Sequence, residues 1–133
     1  MSLSNLEIVQ NLYAAFAAND GPTIMATLAP DLIWNEAEGF PYADRNPYHG
    51  PAAVGEGVFY RLATEWDYFH VVPEKFIDAG NTIIMTGRYK AAYKATGRIL
   101  NAQAAHVWQL RDGKAISFQQ YTDTAQAQAV TKT

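Results

Sequence analysis

The chain predicts an α+β fold in which a curved antiparallel sheet wraps around three N-terminal helices. Three observations carry that prediction. Apolar residues recur at helical spacing only in the first half of the sequence. From about residue 67 onward the chain reads as four long strands. These are separated only by the short segments "AGN", "ATG" and "RDGK", and connections that short between long strands make an antiparallel meander.

The elements follow in order. Ser4 and Glu7 form the S-x-x-E pattern of a capping box. Leu6, Val9, Tyr13 and Phe16 continue at helical spacing, so a first amphipathic helix is expected over about 4–18. "ANDGP" ends it, and Pro22 suits the first turn of a short second helix carrying Ile24, Met25 and Leu28, closed by Pro30. A strand is expected over 31–37. Residues 39–50, "GFPYADRNPYHG", read as a loop of a length that is usually functional when it is ordered. Pro51 opens a third helix over 52–65, with Val54, Val58, Leu62 and Trp66 on one face; Gly55 and Gly57 weaken it or let it pack closely. The strands are expected at 67–78, 82–93, 98–110 and 115–123, and the tail "QAQAVTKT" is expected to fray.

Composition narrows the function classes. The 133 residues suffice for one domain with a real core. A net charge of −3, without any Lys/Arg run, argues against nucleic acid or an anionic membrane as partner. The absence of cysteine rules out disulfides and thiol catalysis. His49, His70 and His106 lack metal-ligand spacing, and no phosphate-binding Gly-rich loop occurs. The N-terminus has no signal-peptide pattern and no apolar run reaches membrane-spanning length, so a cytoplasmic protein is the expectation.

Strand alternation then sorts candidate site residues. On the strand over 98–110, Leu100, Ala102, Ala104, His106, Trp108 and Leu110 share the more apolar face, which puts one polar group, His106, inward. On the strand before it, Ile83, Met85, Gly87 and Tyr89 form the better inner row of 82–93, with Gly87 leaving space as a cavity floor would. The last strand offers Ser117, Gln119, Tyr121 and Asp123 on one face and Ile116, Phe118, Gln120 and Thr122 on the other, and hydrophobicity does not choose between them. Glu36 is either a solvated strand end or a carboxylate held in an apolar pocket beside Trp34. His106 is either a satisfied core histidine or a catalytic group. With 8 Tyr, 6 Phe and 3 Trp, aromatic residues exceed what a core this size needs. The candidates for lining a ligand cavity are Tyr13, Trp34, Tyr42, Tyr48, Phe59, Trp66, Tyr89, Trp108 and Tyr121.

The segments "IVQNLYAAFAANDGPTIMATLAPDLIWNE" and "HVWQLRDGKAISFQQYTDT", together with the element order, resemble the nuclear transport factor 2-like superfamily. That superfamily includes ketosteroid isomerase and the SnoaL-type polyketide cyclases. The resemblance implies a cone-shaped barrel of cystatin-like topology and a homodimer formed through the outer sheet face, with Val107, Gln109 and Arg88. It places the isomerase base at Glu36 and the isomerase's hydrogen-bonding acid at His106. The oxyanion tyrosine of the first helix falls near Leu12; Tyr13 is adjacent but turned about a hundred degrees on the helix. The cyclase base falls at Asp123. No cofactor is implied. The expected function is proton abstraction next to the carbonyl of a small hydrophobic or aromatic ligand, by an isomerase or cyclase. Residues 39–50 would be the lid, closing Tyr42 and Tyr48 over that ligand. The competing expectation is a non-catalytic ligand-binding or dimerisation module of the same fold.

Overall fold

The computed structural model describes residues 2–133. Helix α1 spans Asn5–Ala17, and its capping box is complete: the Glu7 amide donates to Ser4 Oγ and the Ser4 amide donates to Glu7 Oε1. Such a cap contributes about 1 kcal/mol by giving partners to amides that the first turn leaves open. Helix α2 covers Gly21–Thr27, capped by Asp20. Strand β1 then begins at Leu28 and runs to Asn35. Pro30 therefore lies within the strand instead of closing the helix. Proline pushes the residue before it into extended backbone, so the helix stops short of Ala29.

Residues 39–50 are not an open loop. Pro41–Arg45 form a 3₁₀ turn and Tyr48–His49 a two-residue strand, β2. The third helix is three pieces: α3 (Pro51–Val54), a π turn (Gly55–Phe59) and α4 (Tyr60–Glu65). Gly57 lets this segment pack closely, since a Cβ there would lie 2.3 Å from Tyr48 Cε1. Strands β3 (Trp66–Ala79), β4 (Thr82–Tyr93), β5 (Ile99–Arg111) and β6 (Lys114–Thr122) form the expected meander. In the turn between β5 and β6, Asp112 and Gly113 both have positive φ, 52° and 77°, as a two-residue hairpin loop matched to strand twist requires. The tail does not fray: Thr124–Thr131 form helix α5, which buries Ala127 and Val130.

The sheet order is β2-β1-β6-β5-β4-β3. All neighbours are antiparallel except β1 and β6, which run parallel, with Trp34 opposite Phe118 and Asn35 opposite Gln119. The six strands form an open, curved sheet with helices on its concave side. The inner rows of β4 and β5 are those that alternation predicts: Ile83, Met85, Tyr89, Leu100, Trp108 and Leu110 are all buried. On β6 the structure makes the choice that hydrophobicity left open. Phe118 and Gln120 point inward, and Tyr121 is 56% exposed. Two apolar clusters result. One lies among α1, α2, the π turn and the sheet, and the other lies under α5 around Phe40, Trp66, Tyr89 and Leu100. No helix among the described residues is long and apolar enough to cross a membrane.

Gly87 has a different role from the expected one. It sits opposite Pro73, where the β3–β4 register shifts, and a Cβ there would stand 2.1 Å from the Val72 carbonyl oxygen. It allows two backbones to approach and does not floor a cavity. Because the obstacle is backbone, Gly87→Ala should destabilise the protein by at least the ~1–3 kcal/mol typical of overpacking. Urea unfolding checks this, and an unchanged midpoint would show that β3 can yield.

Candidate functional site

The inward row of β1 is Leu32 and Trp34, and its continuation past the strand end is Glu36. Glu36 is only 3% exposed, so the solvated reading is excluded. Its backbone is clamped by one side chain: the Glu36 amide donates to Asn46 Oδ1 at 3.0 Å, and Asn46 Nδ2 donates to the Glu36 carbonyl at 2.8 Å. The next amide, Ala37, donates to Gln120 Oε1 at 3.0 Å. Trp34 Nε1 donates to Glu36 Oε2 at 3.0 Å. Its ring is held by Phe118, stacked at 3.7 Å, and by Trp108 and Phe59, edge-on at 5.6 Å. Burial pushes the Glu36 carboxyl up to about 7; the Trp34 bond and the Arg61 charge pull the other way and only partly offset it.

His106 is also buried, and no carboxylate touches it. Tyr13 Oη lies 2.7 Å from Nδ1 and Tyr89 Oη 2.5 Å from Nε2. Trp108 Nε1 donates to Tyr13 Oη at 2.8 Å, and Gln120 Nε2 donates to Tyr89 Oη at 2.9 Å. Desolvation lowers the imidazole to about 3, so it is neutral. The same desolvation raises both tyrosines, so both stay phenols. With both ring nitrogens engaged, His106 has no N–H to offer a ligand directly. Hydrogen-bond donation toward the interior passes to the tyrosine hydroxyls.

Glu36, Tyr13, Tyr89, His106 and Gln120 line one cavity of about 70 Å³. Its remaining walls are apolar, among them Leu12, Phe16, Trp34, Phe40, Phe69, Val71 and Phe118. A groove of about 490 Å³ between α2, α4 and the start of β3 shares Phe16, Ile24, Phe59, Leu62, Phe69 and Val71 with it. The inner space is small beside the ~300–1,000 Å³ of a site for drug-sized ligands, and the adjoining groove extends it.

The structure thus brings Glu36, His106, Tyr13, Trp34, Phe59, Tyr89 and Trp108 to one cavity. Others among the predicted residues lie elsewhere. Asp123 is exposed and caps α5, accepting from the Gln126 amide at 3.1 Å. Tyr121 points outward because Phe118 and Gln120 take the inner face. Tyr42 and Tyr48 are buried outside the cavity and form no lid. Tyr42 Oη donates to Glu65 Oε1 and accepts from Trp66 Nε1. Tyr48 Oη donates to the Tyr42 carbonyl and accepts from Arg61, which also holds Asp44 through two bonds and stacks 4.2 Å over the Tyr42 ring. Trp66 is part of this anchor and otherwise lines the outer groove. Tyr42 and Tyr48 are thus fixed to α4 and the start of β3, and neither lines the groove.

Sequence reasoning missed Gln120 and Phe118 as site residues, because the two faces of β6 are equally mixed. It also missed Arg61; Tyr13, a candidate lining residue in the sequence, does line the cavity. The resemblance put the helix tyrosine near Leu12; the Leu12 and Tyr13 side chains both line the cavity, and Tyr13 carries the hydroxyl.

The geometry can be set beside known proteins. A family model described as a SnoaL-like domain matches residues 9–118. The chain belongs to the SnoaL-like family. A nuclear transport factor 2-like protein of Burkholderia thailandensis is 35% identical, with a TM-score of 0.94, and the match covers 99% of this chain and 100% of that one. Another, of unknown function, from Burkholderia pseudomallei is 28% identical, with a TM-score of 0.89 and coverage of 99% and 100%. TerC, solved after co-crystallization with polyporic acid, is 25% identical, with a TM-score of 0.85 and coverage of 97% and 98%. No functionally curated protein matches the chain.

A raised carboxyl makes stability depend on pH. The folded state prefers neutral Glu36, so its stabilising preference is complete below about pH 4.5 and is lost as pH rises through about 7. Relative to Glu36→Gln, the wild type should lose about 3 kcal/mol of unfolding free energy across that window. Urea titrations of both proteins near pH 4.5 and pH 8 check it; parallel curves would mean that Glu36 titrates normally.

Proposed function

We propose that this SnoaL-like protein is a cofactor-independent isomerase or cyclase that removes a proton from the carbon next to the carbonyl of a small apolar or aromatic substrate. The observation that carries this reading is the shared cavity: a buried carboxylate poised near neutral pH and two phenol hydroxyls on one imidazole open onto the same apolar space.

The chemistry follows from that arrangement. A base works best when its pKa lies near the working pH, and Glu36 meets this condition through burial. The Trp34 N–H holds Oε2 and leaves Oε1 free to accept a carbon-bound proton. As that proton moves to Glu36, the C–H electron pair becomes the enolate and charge collects on the carbonyl oxygen. A Tyr13 or Tyr89 hydroxyl donates to that oxygen in surroundings where water competes little. Neutral Glu36 then returns the proton to a different carbon, completing an isomerisation, or the enolate carbon attacks an internal carbonyl, closing a ring, and the alkoxide formed from that carbonyl takes the proton back from Glu36. The co-crystallization of TerC with polyporic acid supports a small-molecule occupant for this fold. The outer sheet face, where Val107 and Ile84 are only half-buried and Gln109 is exposed, is the proposed homodimer surface; sedimentation at twice the 14.7 kDa chain mass is the expected result.

Deuterium incorporation from D₂O into a panel of aryl ketones, followed by NMR, tests the reaction without knowledge of the natural substrate. Wild type should accelerate exchange for at least one member. Glu36→Gln should slow it by ~10²–10⁴-fold, the usual contribution of a positioned base. Asp123→Asn should exchange at the wild-type rate. Undiminished exchange in Glu36→Gln would remove Glu36 as base. Tight ketone binding with no exchange in any form would favour a binding module.

A further inference from the structure

Counting protons around His106 leads beyond the general assignment of an oxyanion donor. Four hydrogen bonds meet on three side chains: Trp108 to Tyr13, Gln120 to Tyr89, and one between each tyrosine and the imidazole. Trp108 and Gln120 have only N–H to offer at those positions, so both tyrosine oxygens act as acceptors toward them. A neutral imidazole has one N–H and one bare nitrogen. It therefore gives a hydrogen bond to one tyrosine and takes one from the other. The tyrosine that receives the imidazole N–H already accepts from Trp108 or Gln120, and its own O–H proton is left without a partner. Neither hydroxyl has any other hydrogen-bond partner among the described residues, and both line the cavity.

We propose that the Trp108–Tyr13–His106–Tyr89–Gln120 chain is a tautomer-switched donor that presents exactly one phenol proton to the cavity, at Tyr13 when His106 carries its proton on Nδ1 and at Tyr89 when it carries it on Nε2. Passing from one state to the other moves the Nδ1 proton to Tyr13 and the Tyr89 proton to Nε2; the cycle closes when the cavity-facing proton of Tyr13 is released to a water or to the occupant and an equivalent proton is returned to Tyr89. Each end state is then uncharged, which suits an apolar cavity. Two consequences follow for the occupant. The network holds one phenol proton with no partner of its own, so it favours an oxygen that accepts: a carbonyl, an enolate or a phenolate. It can also meet that oxygen at either of two positions, as a substrate whose charge migrates along a conjugated system requires. Trp108 and Gln120 are positioning residues here, because each keeps a tyrosine oxygen accepting.

This deepens the proposed function and rests on it for the nature of the occupant, but the donor count is readable without turnover. The experiment is ¹⁵N NMR of the imidazole nitrogens of His106 in ¹⁵N-histidine-labelled protein, assigned by loss of the signals in His106→Gln. Tyr13→Phe removes the acceptor at Nδ1 and should lock the proton on Nε2; Tyr89→Phe should lock it on Nδ1. Should a Phe variant fail to fold, 3-fluorotyrosine at the same position strengthens that phenol as a donor at nearly unchanged volume and should shift the tautomer the same way. Opposite tautomers in the two variants sustain the proposal. One tautomer in both, or protonation of both nitrogens, overturns it. 4-Nitrophenol is the probe for selectivity: it should bind as the yellow phenolate and shift the His106 signals in the wild type, and binding only as the neutral phenol would contradict a site that favours an accepting oxygen. Either result stands apart from ketone exchange, which reports on Glu36.

Discussion

The parallel pairing of β1 with β6 sets Trp34 on Phe118, and the rest of the site depends on that contact. Its register aligns the inward row Leu32, Trp34, Glu36 with the inward row Phe118, Gln120. Gln120 then reaches both ways. Its oxygen receives the Ala37 amide just after Glu36, and its nitrogen donates to Tyr89. A slip of one residue would turn Trp34 and Glu36 to the outer face, since strand side chains alternate. The indole would then lose its stack on Phe118 and the carboxyl its apolar surroundings.

The polar groups inside the cone share one property: each is buried and each is satisfied. Glu36, His106 and Gln120 are the buried polar or charged residues of the described chain, and no buried side-chain nitrogen or oxygen among the described residues lacks a partner. An unpartnered group at such depth would cost a few kcal/mol. Every fully enclosed polar atom therefore has a partner, while Glu36, at the cavity, is held through Oε2 alone. The same desolvation acts on the groups in opposite senses, raising Glu36 and lowering His106. Both shifts favour the uncharged form, a protonated Glu36 and a neutral His106.

The helical side is shaped by geometry as much as by hydrophobicity. The π turn at Gly55–Phe59 brings Val58 and Phe59 to the cavity wall. Arg61, one turn on, donates to the Gly57 carbonyl and ties α4 to Asp44, Tyr42 and Tyr48. This holds residues 41–49 against the cone and leaves the groove beside α2 and α4 as the space adjoining the cavity.

Local chemistry was enough for much of this. The capping box, the three helical stretches, the four-strand meander, the inner rows of β4 and β5 and the candidacy of Glu36 and His106 are all readable from spacing, because each depends on residues close in the chain. Tertiary structure decided what depends on neighbours far away. Which face of β6 is inner was settled by β1 lying beside it, through pairs such as Trp34 with Phe118. That choice sent Tyr121 and Asp123 outward and brought Gln120 in. The tail became α5 because the sheet's second apolar cluster was there to receive Ala127 and Val130. Whether Glu36 is solvated or buried was likewise open in the sequence, since a carboxylate's surroundings are set by the elements that close over it.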